Sequence, residues 1–274
     1  MKRWPLFALV ALALVAMVAW LALAPGSAKG PRVYAVDIVT SAPHDREAFT
    51  EGLFYRDGVL YEGTGKVGES RIRKIHAQSG RELAAADLPA PYFGEGIAAL
   101  GDSLYQLSWQ HGTGFVYRLS DLSEQRRFTY TGEGWGLTEN GRELIMSDGT
   151  PVLRFLDPKT LQPVRTLTVT AGGCPVQQLN ELEWVDGLIY ANIWQTNLIA
   201  RIDPQSGDVK SFLDVSTLGP SARGVDDVAN GIAWDAGAKQ LYITGKRWPL
   251  VYQVREGSQV YDSPEAKALM TCAK

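Results

Sequence analysis

Metal-binding side chains are scarce in this sequence. Three histidines (His44, His76, His111) and two cysteines (Cys174, Cys272) are scattered through 274 residues, with no HxH, HExxH or CxxC spacing. A zinc site built from sequence neighbours is not expected. Positive charge is not in excess either. The chain has 27 Lys and Arg against 30 Asp and Glu; residues 1–28 hold only Lys2 and Arg3 and no acid, which leaves 25 cations against 30 acids, a net −5, in the remainder. A non-specific nucleic-acid binder would show the opposite sign, so no nucleic-acid partner is expected. The balance of 45% hydrophobic and 21% charged residues excludes a disordered chain and a multi-span membrane protein. A sustained 3.6-residue period is absent from residues 32–262, and only a short stretch around 262–270 reads as helix.

What is present begins with an apolar run from Leu6 to Ala24, preceded by Lys2 and Arg3 and followed by PGSAKG, whose Gly26 and Ala28 suit cleavage after Ala28. At 19 residues the run exceeds a signal-peptide core of about 7–15 residues and nearly spans the roughly 30 Å of hydrocarbon. Residues 1–28 are therefore expected to be a signal peptide or an uncleaved N-terminal membrane anchor through residues 6–24. No cysteine follows the run, which excludes lipoprotein attachment. The positive-inside rule places residues 29–274 outside the cytoplasm, periplasmic or secreted, in both cases. In that oxidising compartment Cys174 and Cys272 either pair or stay as two isolated buried thiols.

The rest of the chain repeats. EGLFYRDGVLY at 51–61 returns as EGIAALGDSLY (95–105), WGLTENGRELI (135–145), NELEWVDGLIY (180–190) and NGIAWDAGAKQLY (230–242), at intervals of 44, 40, 45 and 50 residues. Each copy is followed by a second alternating segment, such as SRIRKIHAQSGREL or NLIARIDPQSGDVKSFL. Alternation with D-G, N-G and S-G turns marks β-hairpins. Two hairpins per unit of about 40–50 residues make a four-stranded blade. The expected fold is all-β, a five-bladed β-propeller with four antiparallel strands per blade over residues 29–274; an open sandwich would not need the same turn chemistry at a fixed period. VYAVDIV at 33–39 reads as a further strand able to complete the last blade.

Corresponding positions of such repeats form rings, and their divergence points to a site. One ring holds Glu51, Glu95, Trp135, Asn180 and Asn230; a second, after the second strand of each unit, holds Gly65, Trp109, Gly149, Trp194 and Lys246. Antiparallel pairing brings both rings to one face. Apolar walls around a few polar groups describe a small-ligand pocket. Trp109, Trp135 and Trp194, at strand ends, are expected in the pocket, whereas Trp184 and Trp234, inside strands, are expected in the sheet-packing core.

The strings AFTEGL (48–53), FGEGI (93–97), GEGWGLT (132–138), LNELEW (179–184), YANIW (190–194), NGIAWD (230–235) and ITGKRWP (243–249) resemble the plant and bacterial type of glutaminyl-peptide cyclotransferase, or glutaminyl cyclase, across almost all of residues 35–255. The resemblance implies a five-bladed propeller that converts the N-terminal glutamine of peptides or proteins to pyroglutamate with release of ammonia. It implies no cofactor and no catalytic metal, and a monomer is expected. Matched motif by motif, it implies Glu95 as the acid-base group, Asn180 and Lys246 as further catalytic groups, and Phe49, Phe93, Trp109, Trp135 and Trp194 as the aromatic pocket. Glu51 stands in the substrate pocket where the family's FTQGL motif commonly has glutamine.

Two other readings stay open on the residues alone. A calcium-dependent propeller lactonase would use the oxygen ligands of Glu51, Glu95, Asn180, Glu181 and Asn230. A non-catalytic peptide-binding propeller of the cell envelope would use the pocket without turnover.

Overall fold

The computed structural model describes residues 30–221 and 224–272; the signal or anchor expected over residues 1–28 lies outside them. After β1 (Arg32–Pro43) come three antiparallel four-stranded sheets in sequence order. These are β2 (Thr50–Arg56), β3 (Val59–Thr64), β4 (Arg71–His76) and β5 (Glu82–Asp87); β6 (Gly94–Leu100), β7 (Ser103–Ser108), β8 (Thr113–Arg118) and β9 (Glu124–Thr129); and β10 (Leu137–Glu139), β11 (Leu144–Met146), β12 (Val152–Leu156) and β13 (Pro163–Thr168). A two-stranded ribbon, β14 (Thr170–Ala171) and β15 (Cys174–Pro175), follows. The last strands are β16 (Leu179–Val185), β17 (Leu188–Ile193), β18 (Leu198–Ile202), β19 (Val209–Asp214), β20 (Ala229–Asp235), β21 (Gln240–Gly245) and β22 (Leu250–Val260).

These last strands form one eight-stranded sheet in the order β16-β17-β18-β19-β1-β22-β21-β20. It is two four-strand units, β16–β19 and β20–β22 with β1, joined where β1 pairs with β19. The N-terminal strand pairs antiparallel with β22 along its length and parallel with β19 over Arg32–Ala35. It thereby supplies a fourth strand to the unit β20–β22, as expected from residues 33–39, and leaves neither β19 nor β22 as a free edge.

Turn chemistry explains the hairpins. Asp57-Gly58 and Asp186-Gly187 both have positive φ, 51° and 83° in the first and 45° and 88° in the second. That conformation gives the two-residue turn whose twist matches the strands it joins. Burial grades outward across the first three units, whereas β19, covered by β1, stays mostly buried. The first strands β2, β6, β16 and β20 are buried over most of their length, while the fourth strands β5, β9 and β13 are largely exposed. The first strands also pack on one another in cyclic order: β2 on β6, β6 on β10, β10 on β16, β16 on β20, and β20 on β2.

Five apolar clusters fill the gaps between successive units. Phe54 and Ile72 meet Leu104 and Phe115; Tyr105 and Val116 meet Leu144 and Leu156; Ile145 and Phe155 meet Ile189 and Phe212; Ile199 and Leu213 meet Ile232 and Trp248; Leu53 and Leu60 meet Ala233 and Tyr242. Stabilisation is thus spread over five interfaces.

The expected short helix is α1 (Pro264–Leu269), capped by the Ser263 hydroxyl, which accepts the Ala266 N–H at 3.3 Å. It places Ala266 in the cluster shared by β12 and β16–β19. Just beyond it, Cys272 is bonded to Cys174, 98 residues earlier. Of the two readings open for the cysteines, the structure has the disulfide. Closing a loop of about 100 residues contributes roughly 4–5 kcal/mol on chain-entropy arguments, so reduction or Cys272→Ser should lower Tm by on the order of 10 °C. Thermal unfolding with and without reductant checks this; coincident curves would show that the tail is not held by the bond.

A buried ion network ties the first unit to the last. His44, just after β1, contacts the Glu62 carboxylate through Nε2 at 2.7 Å and the Trp248 carbonyl through Nδ1 at 2.6 Å. Glu62 also accepts from the Thr50 hydroxyl at 2.7 Å and pairs with Arg73 at 3.3 Å. Burial alone would lower the His44 pKa, but the facing carboxylate and the carbonyl hold it above its ordinary 6.5. Burial alone would raise Glu62, and the charges of His44 and Arg73 with the Thr50 hydroxyl bring it below its ordinary 4.5. The depressed Glu62 contributes stability above pH 4.5 that fades as pH falls through its folded value; the raised His44 contributes below pH 6.5 and fades as pH rises through its folded value. Breaking a buried pair from one side costs roughly 3 kcal/mol or more. Glu62→Gln should therefore destabilise most between pH 4.5 and 6.5, as denaturant titrations across pH would show; a pH-independent loss would contradict the pairing.

Candidate active site

The site begins with a repeated irregularity. Pairing between first and second strands slips by one residue between Thr50 and Gly52, Gly94 and Ile97, Leu179 and Leu182, and Ala229 and Ile232. In the remaining unit the Trp135 N–H donates to the Ser147 carbonyl while the Ser147 N–H donates to the Gly136 carbonyl, so two residues again face one. Such a bulge re-aims a side chain out of the strand's two-sided alternation. The five bulges carry Glu51, Glu95, Trp135, Asn180 and Asn230, the whole of the first ring.

Where they meet, a cavity of about 530 Å³ opens to solvent. Its polar groups include Glu51, Glu95, Asn180 and Lys246, and its walls are Phe49, Phe93, Trp109, Trp135 and Trp194. Every residue matched to the family's pocket motifs is brought together here. Two more line it, Gln178 and Asp226. Both lie in connections before a first strand, outside the repeated segments, so no alignment of repeats could single them out. The positive φ of Gln178, 64°, is likewise a property of the folded chain.

The aromatic rings form two groups. Phe49 meets Phe93 edge-on at 6.1 Å and Phe93 meets Trp109 at 5.8 Å; Trp135 meets Trp194 edge-on at 5.9 Å. The two ring-two glycines give them room. A Cβ at Gly65 would lie 2.4 Å from the Phe93 ring, and one at Gly149 2.7 Å from the Trp135 ring. Lys246 Nζ sits 4.5 Å from the centre of the Phe49 ring, adding a cation–π contact. Trp109 stays 38% exposed and marks the mouth.

Charge is divided unequally between the two pocket carboxylates. Glu51 accepts from Lys246 Nζ at 2.6 Å and from the Asn230 amide at 2.9 Å. Burial raises its carboxyl, and the ammonium and amide pull it back. Glu95 has no hydrogen-bond partner for its carboxyl among the described residues. Burial, and then the nearby Glu51 charge, hold it well above the usual carboxylate range against the opposing pull of Lys246. The proton shared by this pair therefore belongs mainly to Glu95. The Asn180 side-chain oxygen is buried and has no partner, and its NH2 group has none among the described residues, so both its acceptor and its donors are open to a ligand.

Several expected residues sit elsewhere. Asn230 does not line the cavity; it braces Glu51 from behind and also donates to the Thr50 carbonyl at 3.0 Å. Glu181 reaches across the first strands instead, accepting the Leu53 N–H at 3.2 Å and the Ile232 N–H at 2.9 Å, so its oxygens are already used. Trp184 and Trp234 do pack against the core clusters, but they are only half-buried. They line a separate cavity of about 450 Å³ at the far ends of the first strands, beside Tyr55, Ala99 and Glu183. Among the described residues, no three His, Cys, Asp or Glu side chains gather as a metal-holding group.

Residues 9–256 match the profile of the glutamine cyclotransferase family. The chain is 39% identical over 231 residues to a glutaminyl-peptide cyclotransferase of Arabidopsis thaliana, covering 82% of this chain and 72% of that protein. Among solved structures, the glutaminyl cyclase of Myxococcus xanthus superposes with a TM-score of 0.79 at 35% identity, covering 84% of this chain and 99% of that one. The resemblance carried by the motifs is thus borne out over most of the sequence, and the chain belongs to the glutamine cyclotransferase family.

Proposed function

We propose that this chain is a glutaminyl-peptide cyclotransferase that closes the N-terminal glutamine of peptides or proteins into pyroglutamate and releases ammonia, using Glu95 as its acid-base group on a five-bladed β-propeller. The observation that carries the chemistry is the inequality of two buried carboxylates in one aromatic-walled cavity: Glu51 is engaged by a lysine and an amide, whereas Glu95 is unpaired and raised. The cyclic packing of five first strands and the five inter-unit clusters support the propeller. The disulfide supports an oxidising location outside the cytoplasm for residues 29–274.

In the reaction the α-amino nitrogen attacks the carbon of its own γ-carboxamide, forming the ring C–N bond. The nucleophile is tethered to its electrophile, so effective molarity comes from the substrate and the protein supplies no covalent nucleophile. Glu95 in its carboxylate form takes a proton from the attacking amine and returns it to the departing NH2 as the exocyclic C–N bond breaks. One group can do both when its pKa lies near working pH, and burial moves Glu95 that way. Lys246 spends one donor on Glu51 and keeps two for the carboxamide oxygen as it becomes negative. Asn180 adds a second donor from its amide; each such donor is worth about 3 kcal/mol. Lys246 already supplies the cation that Glu51 needs, so the mechanism has no step for a metal ion.

Glu95→Gln should lower kcat at least about 10²-fold with substrate binding largely intact. Glu51→Gln should keep most activity and move the acidic limb of kcat/KM to lower pH, because the negative charge that raises Glu95 is gone. Steady-state ammonia release from a Gln-peptide across pH measures both; an active Glu95→Gln beside an inactive Glu51→Gln would reverse the assignment. Chelation gives an independent check. EDTA should leave the rate unchanged, and a loss restored by one divalent ion would overturn the metal-free mechanism.

A further inference from the structure

The two aromatic groups of the cavity are joined by a carboxylate that does not line it. Phe49, Phe93 and Trp109 form one run of ring contacts and Trp135 with Trp194 forms the other; among the described residues no ring contact links Trp109 to Trp135. Glu133, in the loop before β10, closes that gap. A single oxygen, Oε2, accepts the Trp109 Nε1–H and the Trp135 Nε1–H, both at 2.8 Å. Its other oxygen accepts the Gln110 amide at 3.2 Å. An indole has one donor and no acceptor, so this one carboxylate satisfies both rings completely. The loop itself is anchored by Arg154 of β12, which donates to the Glu133 carbonyl at 2.9 Å and the Thr131 carbonyl at 2.6 Å and pairs with Asp148 at 3.2 Å.

We infer that Glu133 is a positioning residue for the cyclisation: it locks the indoles of Trp109 and Trp135 into the orientation that walls the glutamine-binding cavity. Trp109 comes from the end of β7 and remains partly exposed. Without its acceptor it would swing among rotamers in water, and substrate binding would then bear the cost of ordering it. The bonds are charge-assisted, which makes them stronger than neutral ones. Burial alone would raise Glu133, but the bonds from Trp135, Trp109 and Gln110 hold it below the ordinary carboxylate value. It therefore keeps its charge at neutral pH, and that charge is one of those that raise Glu95. The other titratable groups facing Glu95 are Glu51 of β2, Lys246 after β21 and Tyr130 after β9.

This inference rests on the proposed cyclisation, and the test separates the two. In full-length protein labelled with 15N-tryptophan, Glu133→Ala should shift two indole N–H resonances and raise KM for a Gln-peptide on the order of tenfold, with a smaller change in kcat. Glu133→Gln retains an oxygen able to accept both indoles. It should recover most of the KM while moving the acidic limb of kcat/KM to lower pH, since its charge no longer raises Glu95. Melting temperatures confirm that each variant is folded, and Glu133→Gln keeps the test open if Glu133→Ala does not fold. Unmoved indole resonances, or Glu133→Gln as impaired in KM as Glu133→Ala with an unchanged pH profile, would overturn the positioning role. A wild-type protein that shows the two coupled indoles yet releases no ammonia would instead overturn the cyclase reading and leave the clamp standing.

Discussion

The first strands approach one another too closely to admit a Cβ, and the site follows from that crowding. A methyl group on Gly96 would lie 2.5 Å from the Leu137 nitrogen, and one on Gly136 2.0 Å from the Asn180 carbonyl oxygen. Each glycine stands immediately after a ring residue. The bulge that carries the ring residue and the contact that requires the glycine are therefore one feature: the strand turns its side chain toward the cavity while its next residue lets the neighbouring backbone come near. Any side chain there would force two strands apart and move the ring residues on both. In the fourth unit the pattern is broken, and Glu181 occupies the position after Asn180. Its carboxyl spans to β2 and β20 and binds their backbone N–H groups, so a polar strut does across the first strands what contact does elsewhere.

Placement by the backbone makes the electrostatics reliable. Glu51 and Glu95 are held at equivalent points of adjacent units, close enough for the Glu51 charge to raise Glu95. Two buried carboxylates in that position do not both ionise freely. Lys246 and Asn230 resolve the conflict in favour of Glu51, and the network of His44, Glu62 and Thr50 supports that choice from behind. Thr50 gives its hydroxyl to Glu62 and its carbonyl to Asn230. The Trp248 carbonyl that His44 contacts lies two residues beyond Lys246. The core ion network and the pocket carboxylate pair are consecutive layers of one structure.

Much of this was legible in the sequence. The D-G turns, the alternation and the 40–50-residue spacing are local signals, and they located the hairpins and the composition of the ring, down to Trp109 and Lys246 at the ends of second strands. The bulges were not legible as such, although the E-G and W-G pairs at 51–52, 95–96 and 135–136 are their trace. A glycine that exists to admit a neighbouring strand cannot be told from a turn glycine until the neighbour is known. Gln178 and Asp226 escaped because they belong to connections with no counterpart in other repeats. Trp184 and Trp234 look like core residues because they sit inside strands, yet a second cavity leaves one side of each open. His44 gave no sign at all, since its partner is 18 residues away in a different strand.

The five buried glutamates and half-buried Glu133 differ in what donates to them and in what they face, and those differences sort their roles. Glu62 and Glu133 have enough donors to be pulled below the ordinary carboxylate value, so they are fixed anions that hold other groups in place. Glu181 and Glu183 accept mainly backbone N–H groups deep in the fold; burial wins there, pushing Glu183 up to about 8 and Glu181 well above the usual range. Neither opens onto the aromatic cavity. Glu51 opens onto it but is committed to Lys246. Glu95 alone of the six combines burial, a place in the cavity and the absence of a donor. Burial and the Glu51 charge hold that carboxyl well above the ordinary carboxylate range. It is the one the proposed cyclisation uses, because a group that both takes and returns a proton works best when its pKa is brought toward working pH.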